Sequence, residues 1–421
     1  MTSVEQPGSS APRASAKSAS LRRGDQQRRR QDYLRKQKEA RRQLTNHARN
    51  LATTADEPSH GDQHGGKIAD ENLESMEVAN GQQQRKRSRE EKLVRRRDYW
   101  SRQFACPEWI LDVPEDLNGA GSTEGEGWFV MPRPEGKRVM LIAAEGRTIA
   151  RTMNGAITHS WHSTLWSGGA HSRKGPGCTV LDCVFHELDQ TFYVIDMMCW
   201  SDYSLYDCTS EFRQYWIRTK LAEAQVCDVS EWNQYRIRPV PCYDCHPQGL
   251  AAAYGDPVPY IRDGLLFVCK AGHYSLGTTP LVLLWKDEAT TRYDGIHATP
   301  DPFTGENSLL YPLATADDPP VVLQHSTEYS AALGHLKEGD LLRFFVSSAE
   351  LAVESDGSLV PVVQGLVFDK RCSPVRPMAD SWSKAVFQSA VRTGRGVISI
   401  GDIAAVVAAG GEGMATDGKE G

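Results

Sequence analysis

The sequence predicts an α+β fold: two antiparallel sheets with peripheral helices, preceded by a disordered basic arm. Three observations lead there. Thr179 to Phe185 and Thr191 to Trp200 are rich in Val, Ile, Phe and Tyr, with the polar break Glu187 to Gln190 between them. That is the pattern of two adjacent antiparallel strands joined by a short turn. Shorter apolar runs recur on both sides of this pair, while helical character is confined to a few stretches, such as the aromatic start at Glu211 to Trp216 and the amphipathic ADSWSKAVFQSAVR. Charge is segregated as well. Residues 1–52 hold 13 Lys or Arg against 4 Asp or Glu, although the whole chain carries a net charge of −6.

Length and composition set bounds. A chain of 421 residues, 40% of them hydrophobic, has room for one large or two smaller domains with a sizeable core. Ten cysteines are scattered and the first residues lack an apolar signal core, which fits a reducing intracellular compartment. No apolar run approaches the ~20 residues that span a bilayer. The nearest, Ile398 to Ala409, contains Gly401 and Asp402, so no membrane partner is expected.

Taken in order, residues 1–20 are rich in Ser, Ala, Pro and Gly and read as disordered. Residues 21–52 contain no Pro, and Leu34, Leu44 and Leu51 are too sparse for a core, so this basic stretch reads as a helix that forms against a partner. A solvated charge run or a nonspecific RNA-binding arm would look the same. Residues 53–98 form a linker, flexible over 53–84. Its second basic run, RKRSREEKLVRRR, reads as a simple nuclear-localisation tract or as the first solvated helix of the domain. A globular domain follows over 99–294. Trp109 precedes a Pro-bounded turn, and strands are expected at Trp128 to Met131, Lys137 to Ala143, from Arg147, at Leu265 to Cys269 and at Pro280 to Trp285. The glycine-rich loop from Ser167 carries Arg173 and Lys174. Residues 295–400 continue with strand-like pieces, Val321 to Gln324, Leu341 to Val346 and Gly365 to Phe368, as an extension packed on the domain; 401–421 read as a loose tail.

Two features bear on chemistry without settling it. Asp182 and Asp196 are carboxylates inside apolar strands, and such groups need hydrogen-bond partners or an open cleft. Cys242-Tyr-Asp-Cys245-His246 has the spacing of a haem attachment or half a zinc site. Haem wants a secretory route, and zinc wants a second pair where Cys227 offers only a third sulfur, so structural cysteines are the expectation and no metal or cofactor is assigned.

TVLDCVFHELDQTFYVIDMMCW and YDCTSEFRQYWI resemble the cap-binding domain of the snurportin family, import adaptors for spliceosomal small nuclear ribonucleoproteins. The resemblance runs over roughly residues 104–290. RRRQDYLRKQKEARRQLTNHARNLA is similar to the family's importin-beta-binding segment, and DDPPVV with ADSWSKAVFQ is similar to plant-type members, which have the C-terminal extension. The resemblance implies a cleft that binds a trimethylguanosine cap, on a fold like the nucleotidyl-transferase domain of capping enzymes. It implies an arm that binds importin beta through Arg28, Arg29, Arg30, Arg35, Lys36, Arg41, Arg42 and Arg49. It also implies shuttling between nucleus and cytoplasm. The animal family's N-terminal export segment has no counterpart in residues 1–20, which leaves an exportin without its expected anchor.

Such a cap presents a flat, positively charged base whose dimethylated nitrogen cannot donate a hydrogen bond. Aromatic stacking, an apolar edge and phosphate-binding cations suit it. The resemblance assigns stacking to Trp285, the methyl edge to Trp109 and the phosphate side to Arg138, beside Lys137. In this chain there is one residue more than in the animal pattern between Pro-Leu-Val and Trp285. Pro107 stands where the family has a cap-contacting serine and Met153 where it has a lysine, with Arg151 a substitute for the latter. Capping enzymes attach a nucleotide to the lysine of Lys-x-Asp-Gly. The nearest match is Ile261-Arg-Asp-Gly264, without that lysine, which argues against covalent catalysis. An import adaptor is thus expected. A guanylyltransferase or ligase on the same scaffold, and a general basic RNA-binding protein, are the alternatives.

Overall fold

The computed structural model describes residues 25–39, 51, 92–120, 127–169, 177–287, 295–300, 313–314, 322–323, 342–353, 359–371, 379–381, 383–384, 387 and 398–409. Helix α1 (Asp25–Glu39) lies in the basic arm, and helix α2 covers 92–101. The domain then runs through β1 (Ala105–Trp109), β2 (Trp128–Pro134), β3 (Lys137–Ala144), β4 (Arg147–Thr152), β5 (Ile157–Trp161), β6 (Cys178–His186), β7 (Thr191–Trp200) and β8 (Tyr203–Ser204). Helix α3 (Ser210–Ala224), β9 (Arg236–Pro239), β10 (Tyr243–Asp244), helix α4 (Pro247–Gly255), β11 (Arg262–Cys269) and β12 (Gly277–Trp285) complete it. Strands β13 (Gly295–Pro300), β14 (Leu313–Ala314), β15 (Val322–Leu323), β16 (Leu342–Val353) and β17 (Leu359–Arg371) form a separate sheet, and helix α5 (Ile400–Ala409) follows.

Two sheets build the domain. One has the order β1-β12-β11-β2-β10; the other has the order β5-β4-β3-β6-β7-β8, with β9 alongside β7. Pairing is antiparallel except for β1 with β12 and β7 with β9. The fold class is therefore α+β, as the sequence predicts. The strands flanking Glu187 to Gln190 pair directly, with Phe185 opposite Phe192, and every residue of β6 and β7 is buried. Such strands read as near-continuous apolar runs because neither face meets water. The neighbouring strands β2 and β3 do not pair with each other. The Glu135-Gly136 turn carries the chain from the first sheet to the second.

The two buried aspartates find partners. Arg138 gives Asp182 two hydrogen bonds, at 3.0 and 2.6 Å, and the Tyr274 hydroxyl donates a third at 2.7 Å. Arg213 on α3 forks onto Asp196 at 2.8 and 2.9 Å. Bidentate guanidinium pairs of this kind satisfy carboxylates taken out of water.

The arm helix packs on the domain itself. Gln26, Arg29, Arg30, Tyr33, Leu34 and Gln37 recur at helical spacing, and this stripe faces the first sheet. Gln26 and Arg29 reach Glu108, both at 2.8 Å, Arg30 lies 4.8 Å over the Trp128 ring, and Gln37 donates to the Ala271 carbonyl at 2.8 Å. Tyr33 and Leu34 pack on the core. At the other end of the chain, residues from 401 read as a loose tail in the sequence, yet α5 puts Ile403 and Val407 into the same core. Its polar interruptions, Gly401 and Asp402, fall in the first turn, where they do not break the apolar stripe.

Candidate functional site

The strands β1 and β12 run parallel, and their register ends with Glu108 opposite Leu283 and Trp109 opposite Leu284. The Ile110 amide closes the ladder on the Leu284 carbonyl at 2.9 Å. Side chains alternate across a strand. Trp109 therefore shares a face with Leu284 and Lys286, and Trp285 points through the opposite face with its β11 partner Leu265. The contact pattern agrees: the Lys286 ammonium lies 5.8 Å from the centroid of the Trp109 ring.

Beside Trp109 sits a cationic cluster. Arg133 and Lys286 share the carboxylate of Asp263. Asp263 lies in a register shift of β11, between Arg262 and Leu265. Gly264 makes the bend with φ of 90°, where a Cβ would also run into the Trp285 carbonyl. Burial, and next Arg138, lower the Arg133 guanidinium to about 10. Burial, then Arg133 and Lys384, lower the Lys286 ammonium to about 7, against a smaller opposing pull from Glu135. Two cations share one carboxylate next to an indole, so the cations suit phosphate groups and the indole suits a flat base joined to them.

Both tryptophans are covered. Phe387 packs on the Trp109 ring at 4.9 Å between centroids, and the Ser383 hydroxyl accepts the Trp109 amide at 3.0 Å. Lys384 pairs with Asp380 at 2.9 Å. On the other face, Trp285 donates its indole N–H to the Ile398 carbonyl at 2.7 Å and meets Tyr254 edge-on at 6.0 Å. Trp109 is left 8% exposed and Trp285 3%.

Of the remaining predicted residues, Arg138 borders the cationic cluster, close enough to Arg133 to lower its pKa, and the others lie elsewhere. Arg138 is committed to Asp182 and to the Ala105 carbonyl, 2.7 Å away at the start of β1. Burial would lower its pKa, but Asp182, Tyr274 and Cys106 together outweigh burial and hold it above the usual arginine value. Arg151 is buried, donates to the Gly155 carbonyl at 2.7 Å and stacks over Trp100 at 4.7 Å. Lys137 is exposed and paired with Glu187 at 2.5 Å. On α1, Arg28, Arg35 and Lys36 face outward, whereas Arg29 and Arg30 face the domain. Arg41, Arg42, Arg49, Arg173 and Lys174 lie outside the described residues. Ile261, in the place of the nucleophilic lysine, is 42% exposed. His246 caps α4 by accepting the Gly249 amide at 3.0 Å, and among the described residues no group of three His, Cys, Asp or Glu is placed to hold a metal ion.

Sequence reasoning missed Arg133, Asp263, Lys286 and Phe387. Arg133 is flanked by Pro132 and Pro134 and Lys286 follows Trp285, so strand alternation was the available signal. It puts Lys286, not Trp285, on the side of Trp109 once the register is known. Away from this site, a cavity of 330 Å³ is lined by Trp166, Trp200, Ser201, Tyr203, Trp216, Lys220 and Glu223.

Residues 103–287 match the family model described as Snurportin1, m3G cap-binding domain. Among solved structures, a mycobacterial DNA ligase D complexed with ATP and MES is 12% identical, with 66% of this chain and 98% of that one covered and a TM-score of 0.30. The ATP-dependent DNA ligase from bacteriophage T7, complexed with ATP, is 8% identical, with 63% and 98% covered and a TM-score of 0.29.

Proposed function

We propose that this chain, whose residues 103–287 belong to the snurportin-1 m3G cap-binding domain family, is a nuclear import adaptor for trimethylguanosine-capped small nuclear RNA. Cap binding follows from the family. The adaptor role, importin beta as the partner of residues 21–52, and shuttling between nucleus and cytoplasm extend it. In this reading the cap base stacks on Trp109, and Lys286 with Arg133 meets the phosphate bridge. What supports it is the placing of Lys286 and Arg133 on the Trp109 face of the first sheet, around a single carboxylate. Trp285 then braces the sheet from behind. Binding rather than nucleotidyl transfer is the activity, because Ile261 has no nucleophile to offer.

A competition assay with trimethylated and monomethylated cap analogues tests the cap assignment. Preference for the trimethylated analogue is expected, and equal competition by both, or by neither, sinks it. Importin beta capture tests the arm. The full chain should retain importin beta and a chain lacking residues 1–52 should not, while both keep the cap. Capture by the shortened chain would remove the arm from the account.

A further inference from the structure

We propose that the C-terminal segment around Ser383, Phe387, Ile398 and α5 is a cover seated on the cap face, which a cap must displace before it reaches the Trp109 ring. The inference rests on the reading of Trp109 given under Proposed function. Its own ground is a set of contacts that converge on this site from distant sequence. Phe387 puts an aromatic ring against Trp109 at 4.9 Å, where a stacked base would lie. Ser383 takes the Trp109 amide at 3.0 Å. Lys384 stands close enough to Lys286 to lower its pKa, so the segment also reaches the cationic side of the site.

The cover is fastened at a second place. The Ile398 carbonyl accepts the Trp285 indole N–H at 2.7 Å, and α5 inserts Ile403 and Val407 into the core under the first sheet. Asn118 donates to the Val407 carbonyl at 2.7 Å and ties the helix down. Two described residues thus sit on opposite faces of one sheet edge: Phe387 on the Trp109 side, Ile398 on the Trp285 side. With Trp109 only 8% exposed, a base cannot lie flat on its ring while Phe387 is in place. The closed state is therefore incompatible with stacking, and the two occupants compete for one surface. Apparent cap affinity is scaled down by the fraction of molecules whose cover is open.

The test uses the full chain and a trimethylguanosine cap dinucleotide. Hydrogen exchange of residues 398–409, followed by mass spectrometry, should speed up when the cap is added, and cap affinity should rise about tenfold in Phe387→Ala if the cover is closed in about nine molecules of ten. Ile403→Asp, which loosens α5 far from Trp109, should raise it in the same direction. Slower exchange of that segment on cap addition, or weaker or unchanged cap binding in both variants, overturns the cover and makes the segment part of the site or a bystander. Should a variant fail to fold by circular dichroism, the exchange result on the unaltered chain decides alone. If neither the unaltered chain nor the variants bind the cap, the cap reading itself fails, and the cover falls with it.

Discussion

Asp182 and Asp196 lie directly opposite each other on β6 and β7. Like charges at such positions repel. Each is neutralised by its own arginine, Arg138 from β3 for one and Arg213 from α3 for the other. The centre of the second sheet therefore depends on two buried ion pairs brought in from different elements.

Arg138→Met should destabilise the domain by about 3–5 kcal/mol, because it strands the fully buried carboxylate of Asp182. Adding Asp182→Asn should recover part of the loss, since the unpaired charge is then gone. Denaturant unfolding of both variants measures this. A single variant as stable as the parent would mean that Arg138 is held for its ligand contacts instead.

Trp109→Ala should cost about 1–3 kcal/mol of cap affinity, the usual worth of a base stacked on an aromatic side chain, or about five- to 150-fold. Trp285→Phe keeps the bulk on the opposite face and should leave affinity within about threefold. Fluorescence titration with the trimethylated cap compares them. A large loss in Trp285→Phe with little in Trp109→Ala would return the stacking role to Trp285.

Cap affinity should fall as pH rises from about 6 to 8. The Lys286 ammonium, lowered to about 7 by burial and its cationic neighbours, is charged below that value and neutral above it. The phosphate bridge loses a partner in the upper half of the window. Lys286→Met should flatten that part of the profile, and a parent and variant with superimposable profiles would exclude Lys286 from phosphate binding.

Incubation with GTP or ATP and magnesium should leave the intact mass unchanged. The lysine of the nucleotidyl-transfer motif is Ile261 here. Lys286 is the residue to inspect first, because a lowered pKa makes a lysine nucleophilic. A nucleotide adduct on any lysine ends the binding-only reading.

The strands were legible where the alternation and composition were strongest. The β6–β7 pair and the apolar strands β11 and β12 follow from Val, Ile and Phe content bounded by Gly, Pro and polar turns. Apart from the pairing of β6 with β7, their partners were not legible. Nothing in Trp128 to Ala144 says that β2 and β3 enter different sheets, because that depends on long-range pairing with β11 and β6. The site shows the same division. Trp109 was visible as a residue type, but its neighbours were not. Lys286 joins it only through a parallel register set by Leu284, and Phe387 joins it from 278 positions along the chain. Arg138 matched a phosphate-binding role by type, and the structure gives it Asp182, a partner 44 residues away.

The seating of α1 has a kinetic consequence for whatever binds the basic arm. The helix is tethered to the surface it rests on, so it rebinds at an effective concentration that a free competitor must exceed. Arg28, Arg35 and Lys36 stay outward while Arg29 holds Glu108 and Arg30 lies on Trp128. A partner thus meets the outward cations first, Arg35 among them although it is paired with Asp32, and gains the inner arginines only by peeling the helix away. Long-range attraction to the outward cations weakens with salt, while the release of Arg29 and Arg30 from the domain sets the pace of the second stage. Association with an acidic partner should accordingly show two phases, a salt-dependent capture followed by a slower, concentration-independent rearrangement.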